Sequence, residues 1–60
     1  MIDKAIIIKN TLYYMAFLPH QGVYNIYSLD LKRFTKKKLN LPINTIDLFK
    51  YKDRLLFCNK

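Results

Sequence analysis

Residues 23–42 read VYNIYSLDLKRFTKKKLNLP, and the fold turns on how this stretch divides. From Val23 to Leu31 the chain has a period of two. Val23, Asn25, Tyr27, Leu29 and Leu31 fall on one side, and Tyr24, Ile26, Ser28 and Asp30 on the other, as in a strand. Lys32 to Thr35 is polar apart from Phe34 and reads as a hairpin loop. Lys37 to Leu41 resumes a strand, with Leu39 and Leu41 on one face and Lys38 and Asn40 on the other. Pro42 has no N–H to give to a ladder, so the strand stops there. The basic run Lys36-Lys37-Lys38 is thus placed at the wet end of a hairpin.

The same grammar extends in both directions. Ala5-Ile6-Ile7-Ile8 is an apolar, mostly β-branched run without polar alternation, which predicts a strand covered on both faces. Lys9-Asn10-Thr11 forms a turn, and Leu12 to Leu18 a second strand, also apolar on both sides. Pro19-His20-Gln21-Gly22 supplies turn chemistry, with Gly22 able to take positive φ. After Pro42 comes a connection, Ile43 to Phe49, with room for a short strand around Ile46 to Phe49. Tyr51-Lys52-Asp53 turns, and Arg54 to Cys58 is a last strand. No segment has a helical period. The fold class is all-β, an antiparallel meander of four to five short strands. Its expected core is Ile6, Ile8, Leu12, Tyr14, Ile26, Leu29, Leu39, Leu41, Leu55 and Phe57.

Sixty residues allow one small unit, residues 1–60. A chain this short buries about 60% of its unfolded surface, and natural folds of this size lean on disulfides, a metal or a partner chain. With one cysteine and one histidine, neither an internal disulfide framework nor a Cys/His zinc site can be built. Cys58 reads as a small apolar strand residue. Association remains as the source of added stability. Asp3 and Lys4 precede only a short apolar run before Lys9, which is not a secretory signal. The uncharged stretch Asn10 to Leu29 is interrupted by Pro19, His20, Gln21, Gly22 and Asn25 and does not read as a membrane span. An intracellular protein, cytoplasmic or nuclear, is the expectation.

An internal echo sets the organisation. KNTLYYM (Lys9 to Met15) returns in loose form as KDRLLFC (Lys52 to Cys58), and Ile2-Asp3 returns as Ile46-Asp47. A period of about 40 to 50 residues filled with short strands is the spacing of propeller blades. With that period in view, NTLYYMAF, then the stretch from Val23 to Pro42, then YKDRLLFC resembles the blades of kelch-type β-propellers. The pattern is most similar to the F-box-associated interaction domains. Leu12-Tyr13-Tyr14 with Ala16 stands at the first strand signature, Ser28-Leu29-Asp30-Leu31 at the second, and Leu39, Leu41 and Pro42 at the third. Asp53 to Phe57 stands where a following blade opens. The chain departs from the pattern in lacking the kelch double glycine and tryptophan. The resemblance implies one propeller-like blade over about residues 5–42 and the opening strand of a second over about 51–58. It also implies a non-enzymatic module for protein–protein interaction, acting in partner or substrate recognition. A blade is packed between two others, so both faces are apolar; a lone monomer would expose a large apolar patch.

Residues with catalytic chemistry are sparse. Asp3, Asp30, Asp47 and Asp53 are unpaired in sequence and lie at or near turns, where aspartate hydrogen-bonds local backbone. His20 sits in a Pro/Gly turn as a solvated loop residue. A single glycine cannot make a phosphate-cradling loop. No enzyme activity, cofactor, metal or small-molecule substrate is expected. The candidate interaction residues lie in the loops, Pro19 to Gly22, Lys32 to Lys36 and Pro42 to Thr45: His20, Gln21, Lys32, Arg33, Lys36, Lys37, Lys38 and Asn44. The expected partner is a protein, a second copy included. The alternative is a small basic β-protein that binds nucleic acid through its lysine-rich hairpins, since eleven Lys/Arg, a net charge of +7 and five tyrosines suit phosphates and bases.

Overall fold

A computed structural model describes residues 2–60. Six antiparallel strands form two sheets. The first is a meander in the order β1-β2-β3-β4, with β1 at Ile2–Ile8, β2 at Thr11–Leu18, β3 at Val23–Asp30 and β4 at Thr35–Lys38. The second is the hairpin of β5 (Thr45–Tyr51) and β6 (Arg54–Asn59). The strand count exceeds the expected four to five because the connection after Pro42 holds a full strand rather than a fragment.

Sequence and structure differ most at β4. It begins at Thr35 and ends at Lys38, so Leu39 to Leu41 lie outside the ladder. The reason is visible in the backbone: the Leu39 N–H still donates to the Ile26 carbonyl at 2.8 Å, but the chain then turns away to reach the second sheet. Leu39 and Leu41 nevertheless pack on the core, as their shared face predicted.

Registers decide which side chains share a face. Met15 lies opposite Ile26 and Lys4, Tyr13 opposite Ile6 and Ser28, and Thr11 opposite Ile8 and Asp30. These residues form the inner face, because side chains alternate along each strand. Onto this face packs the β5–β6 hairpin. Leu48 is fully buried against Met15 and Ile26, with Ile6, Tyr13, Tyr24 and Leu55 around them. Thr45 is also buried, its hydroxyl donating to the Pro42 carbonyl at 2.7 Å, so a position read as loop is interior.

The opposite, outer face carries Ala5 and Ile7 on β1, Leu12, Tyr14, Ala16 and Leu18 on β2, and Val23, Asn25, Tyr27 and Leu29 on β3. Nothing covers it. The expectation that Ala5–Ile8 and Leu12–Leu18 are covered on both sides is therefore corrected to one side. Of the expected core, Ile8 and Ile26 are buried, while Leu12, Tyr14 and Leu29 are half-buried on the open face. Phe57 is 45% exposed, because β5 rather than β6 carries most of the contact with the meander. Met15 and Leu48, absent from the expected core, are its centre.

The two four-residue hairpin loops share one geometry. Gly22 (φ 66) and Phe34 (φ 55) each stand last in the loop, and each donates its N–H to the carbonyl of the residue before the loop, Leu18 and Asp30. Glycine takes that conformation without steric cost and phenylalanine does not. Phe34→Gly is expected to raise stability by about 0.5–1 kcal/mol, since the phenyl ring is 74% exposed and its loss removes little packing. Leu48→Ala is expected to cost about 2–4 kcal/mol and Phe57→Ala much less. Denaturant melts of the variants check both; equal costs for Leu48→Ala and Phe57→Ala would contradict this packing.

Candidate interaction surface

The candidate residues do not converge. His20 and Gln21 are exposed in the β2–β3 turn, and Asn44, whose side-chain amide donates to the Lys60 carbonyl at 2.9 Å, precedes β5. Both turns lie at one end of the meander. Lys32 and Arg33 lie at the opposite end, in the β3–β4 turn, where their backbone N–H groups donate to Asp30 Oδ1 at 2.9 and 3.1 Å. Those two hydrogen bonds, Arg33 first, hold the Asp30 carboxyl below its ordinary value of 3.8. Asp30 thus follows the expected turn role, whereas Asp47 sits within β5.

Lys36, expected at the end of the loop, joins Lys37 and Lys38 in β4, the edge strand of the meander. Lys36 lies opposite Leu29 and Lys38 opposite Tyr27, so both belong to the outer face; Lys37, opposite Ser28, belongs to the inner. Lysine on an exposed edge hinders pairing with a further strand, because docking another chain there would bury its charge. The run is thus split by the pleat and does not make one basic stripe.

The outer face holds what sequence reading missed. Tyr14 and Tyr27 are direct cross-strand neighbours and stack with ring centroids 5.2 Å apart, and Lys36 Nζ sits 4.4 Å from the Tyr27 centroid. Asn25 Nδ2 donates to the Tyr27 hydroxyl at 3.2 Å. Ile7, 55% exposed, continues the apolar surface toward β1. No aspartate shares this face by register. The alternation of β3 carried the signal: Tyr27 and Leu29 share one side of the strand in the sequence itself.

A groove of about 220 Å³ opens where β3 and the departing chain diverge, between Val23–Ile26 and Lys38–Ile43, with Gln21 at its edge. It unites Gln21 and Lys38 and none of the other candidates. Cys58 lies on a strand, β6, as its apolar character predicts, and is exposed. Among the described residues no three His, Cys, Asp or Glu side chains gather as a metal site, and no helix is long and apolar enough to cross a membrane.

The second hairpin is fastened to the first sheet by an ion pair at its rim. Lys4 Nζ donates to Asp47 Oδ1 at 2.9 Å and lies 4.5 Å from the centre of the Phe49 ring. The Lys4 hydrogen bond, then the Leu48 N–H, hold the Asp47 carboxyl below its ordinary 3.8. No family model matches the chain, and no match is found among curated proteins or solved structures.

A depressed carboxyl value adds stability that is complete above the ordinary value of 3.8 and disappears as pH falls through the lower folded value. Asp47→Asn is therefore expected to be less stable than the parent at neutral pH, with the difference closing in acid. Thermal melts at a series of pH values test this, and a gap that stays constant into acid would remove the Lys4–Asp47 pair from the account.

Proposed function

We propose that this chain is a non-enzymatic protein–protein interaction module built from propeller-like repeats, one four-stranded unit followed by the first hairpin of the next. On this reading, the resemblance to kelch and F-box-associated propellers reflects a shared repeat plan, and the task is partner or substrate recognition.

One correspondence carries the reading. A single offset of 43 residues, the Lys4–Asp47 separation, superimposes the register of the second hairpin on that of the first. Ile8↔Thr11 becomes Tyr51↔Arg54, Ala5↔Tyr14 becomes Leu48↔Phe57, and Ile2↔Ala16 becomes Thr45↔Asn59. The register shift between Ile2 and Lys4 recurs between Thr45 and Asp47. The tight turns correspond too, with Lys9 at φ 56 and Lys52 at φ 55. Bulges and strained turn residues are specific local features, and their recurrence at one offset is the mark of a structural repeat.

The open outer face supports recognition of protein rather than of nucleic acid. It is apolar and aromatic, as binding surfaces are. The Tyr27 ring is engaged by Tyr14 and Lys36, which leaves it poorly placed to stack a base. The lysines of β4 are divided between two faces instead of tracking one backbone.

Peptide-display selection against the purified chain is expected to yield binders that weaken at least about tenfold on Ile7→Glu and are unchanged on Lys37→Ala. That factor corresponds to losing about 1.4 kcal/mol of contact. Selected binders indifferent to Ile7→Glu, or tight binding of a single-stranded oligonucleotide that falls steeply with salt, would overturn the reading.

A further inference from the structure

The contact between the two repeat units joins unlike faces. The first unit offers its inner face, with Ile6, Tyr13 and Met15. At the common offset those positions become Phe49, Leu56 and Cys58 in the second unit, and all three are exposed. The second unit meets the first with the other side of its hairpin, through Leu48 and Leu55. At the same offset these correspond to Ala5 and Leu12 of the first unit, which belong to the open outer face. Each unit therefore retains the half of the contact that the other has used.

We infer that the chain self-associates head to tail, the exposed Phe49–Leu56 side of the second hairpin of one copy packing on the outer face of the meander of the next. The inference rests on the repeat reading above. Contact between unlike faces is heterologous, so it repeats from copy to copy and closes into a ring if the rotation allows.

Two observations select a second copy arranged this way. Both surfaces are apolar where the internal contact is apolar: Phe49 and Leu56 are 46% and 47% exposed, and Ala5 and Leu12 stand at the positions of Leu48 and Leu55, with Ile7, 55% exposed, beside them. The rim charges also fit. The internal contact sets Lys4 against Asp47, which occupy the same position of the two units. Repeating the contact between copies sets Asp47 of one against Lys4 of the next, with attraction preserved. A symmetric pairing of two outer faces lacks this match, because that face carries Lys36 and Lys38 and no aspartate.

Sedimentation or light scattering across a concentration series tests the arrangement with two variants, Ile7→Glu on the outer face and Leu56→Glu on the hairpin. Both positions are exposed, and circular dichroism checks that both variants fold. The parent is expected to rise with concentration above its monomer mass of 7.2 kDa. Each variant alone remains a monomer. Their equimolar mixture forms a one-to-one dimer, since the Ile7→Glu copy keeps an intact hairpin and the Leu56→Glu copy an intact outer face. A parent that stays monomeric overturns the inference, as does association abolished by Ile7→Glu but unaffected by Leu56→Glu, which marks a symmetric pairing. A monomeric parent leaves the display result standing, so failure here is separable from failure of the interaction reading.

Discussion

Leu48 pressed against Met15 and Ile26 is the contact on which the rest of the molecule depends. A hairpin alone is marginal in water, and a four-stranded meander with nothing on either face is little better. Joining them gives each one covered side. The fully interior set is small: Ile8, Met15, Ile26 and Leu48, with the Thr45 hydroxyl satisfied by the Pro42 carbonyl. A core of that size anchors one face of the sheet and cannot reach the other. The open, apolar outer face follows from this economy.

The lysine run illustrates how a charge pattern changes meaning once a strand is known. Taken only as a run of like charge, Lys36-Lys37-Lys38 would be a cluster of phosphate ligands. As the edge strand of a meander, the same residues alternate in direction and guard an otherwise unpaired row of backbone groups. Lys36 also extends across the open face to the Tyr27 ring. The first strand, at the opposite edge, has one lysine and a largely apolar sequence. The two edges of the sheet are therefore unequal, one defended by charge and one much less so.

Repetition links the fold to the surface. The same bulge, the same two-residue turn and the same pairing appear in both hairpins, while the side chains filling them differ: Ile6 against Phe49, Lys4 against Asp47, Ala5 against Leu48. Shared backbone geometry keeps the packing relation constant. Divergent side chains decide which faces are covered and which are left open. The exposed apolar residues are consequences of this arrangement rather than scattered exceptions.

The sequence by itself determined the all-β class, the turns and the faces of β3, because alternation with period two and the Gly, Pro and Asp signals act over a few residues. KNTLYYM and KDRLLFC stand at the 43-residue offset that relates the two hairpin registers, whereas Ile2-Asp3 and Ile46-Asp47 are one residue out of step with it. The sequence placed Leu39 and Leu41 on the core side although the ladder ends before them. What it could not contain was which of two apolar faces would be covered. Hydrophobicity alone points Leu12, Tyr14 and Phe57 inward and does not single out Met15. Both sides of β2 are apolar, so local pattern is degenerate there. Only the seating of β5 on one face, a contact between residues far apart in the chain, breaks the tie. The open face belongs to the same class of fact: it is the side that tertiary packing left uncovered among the described residues.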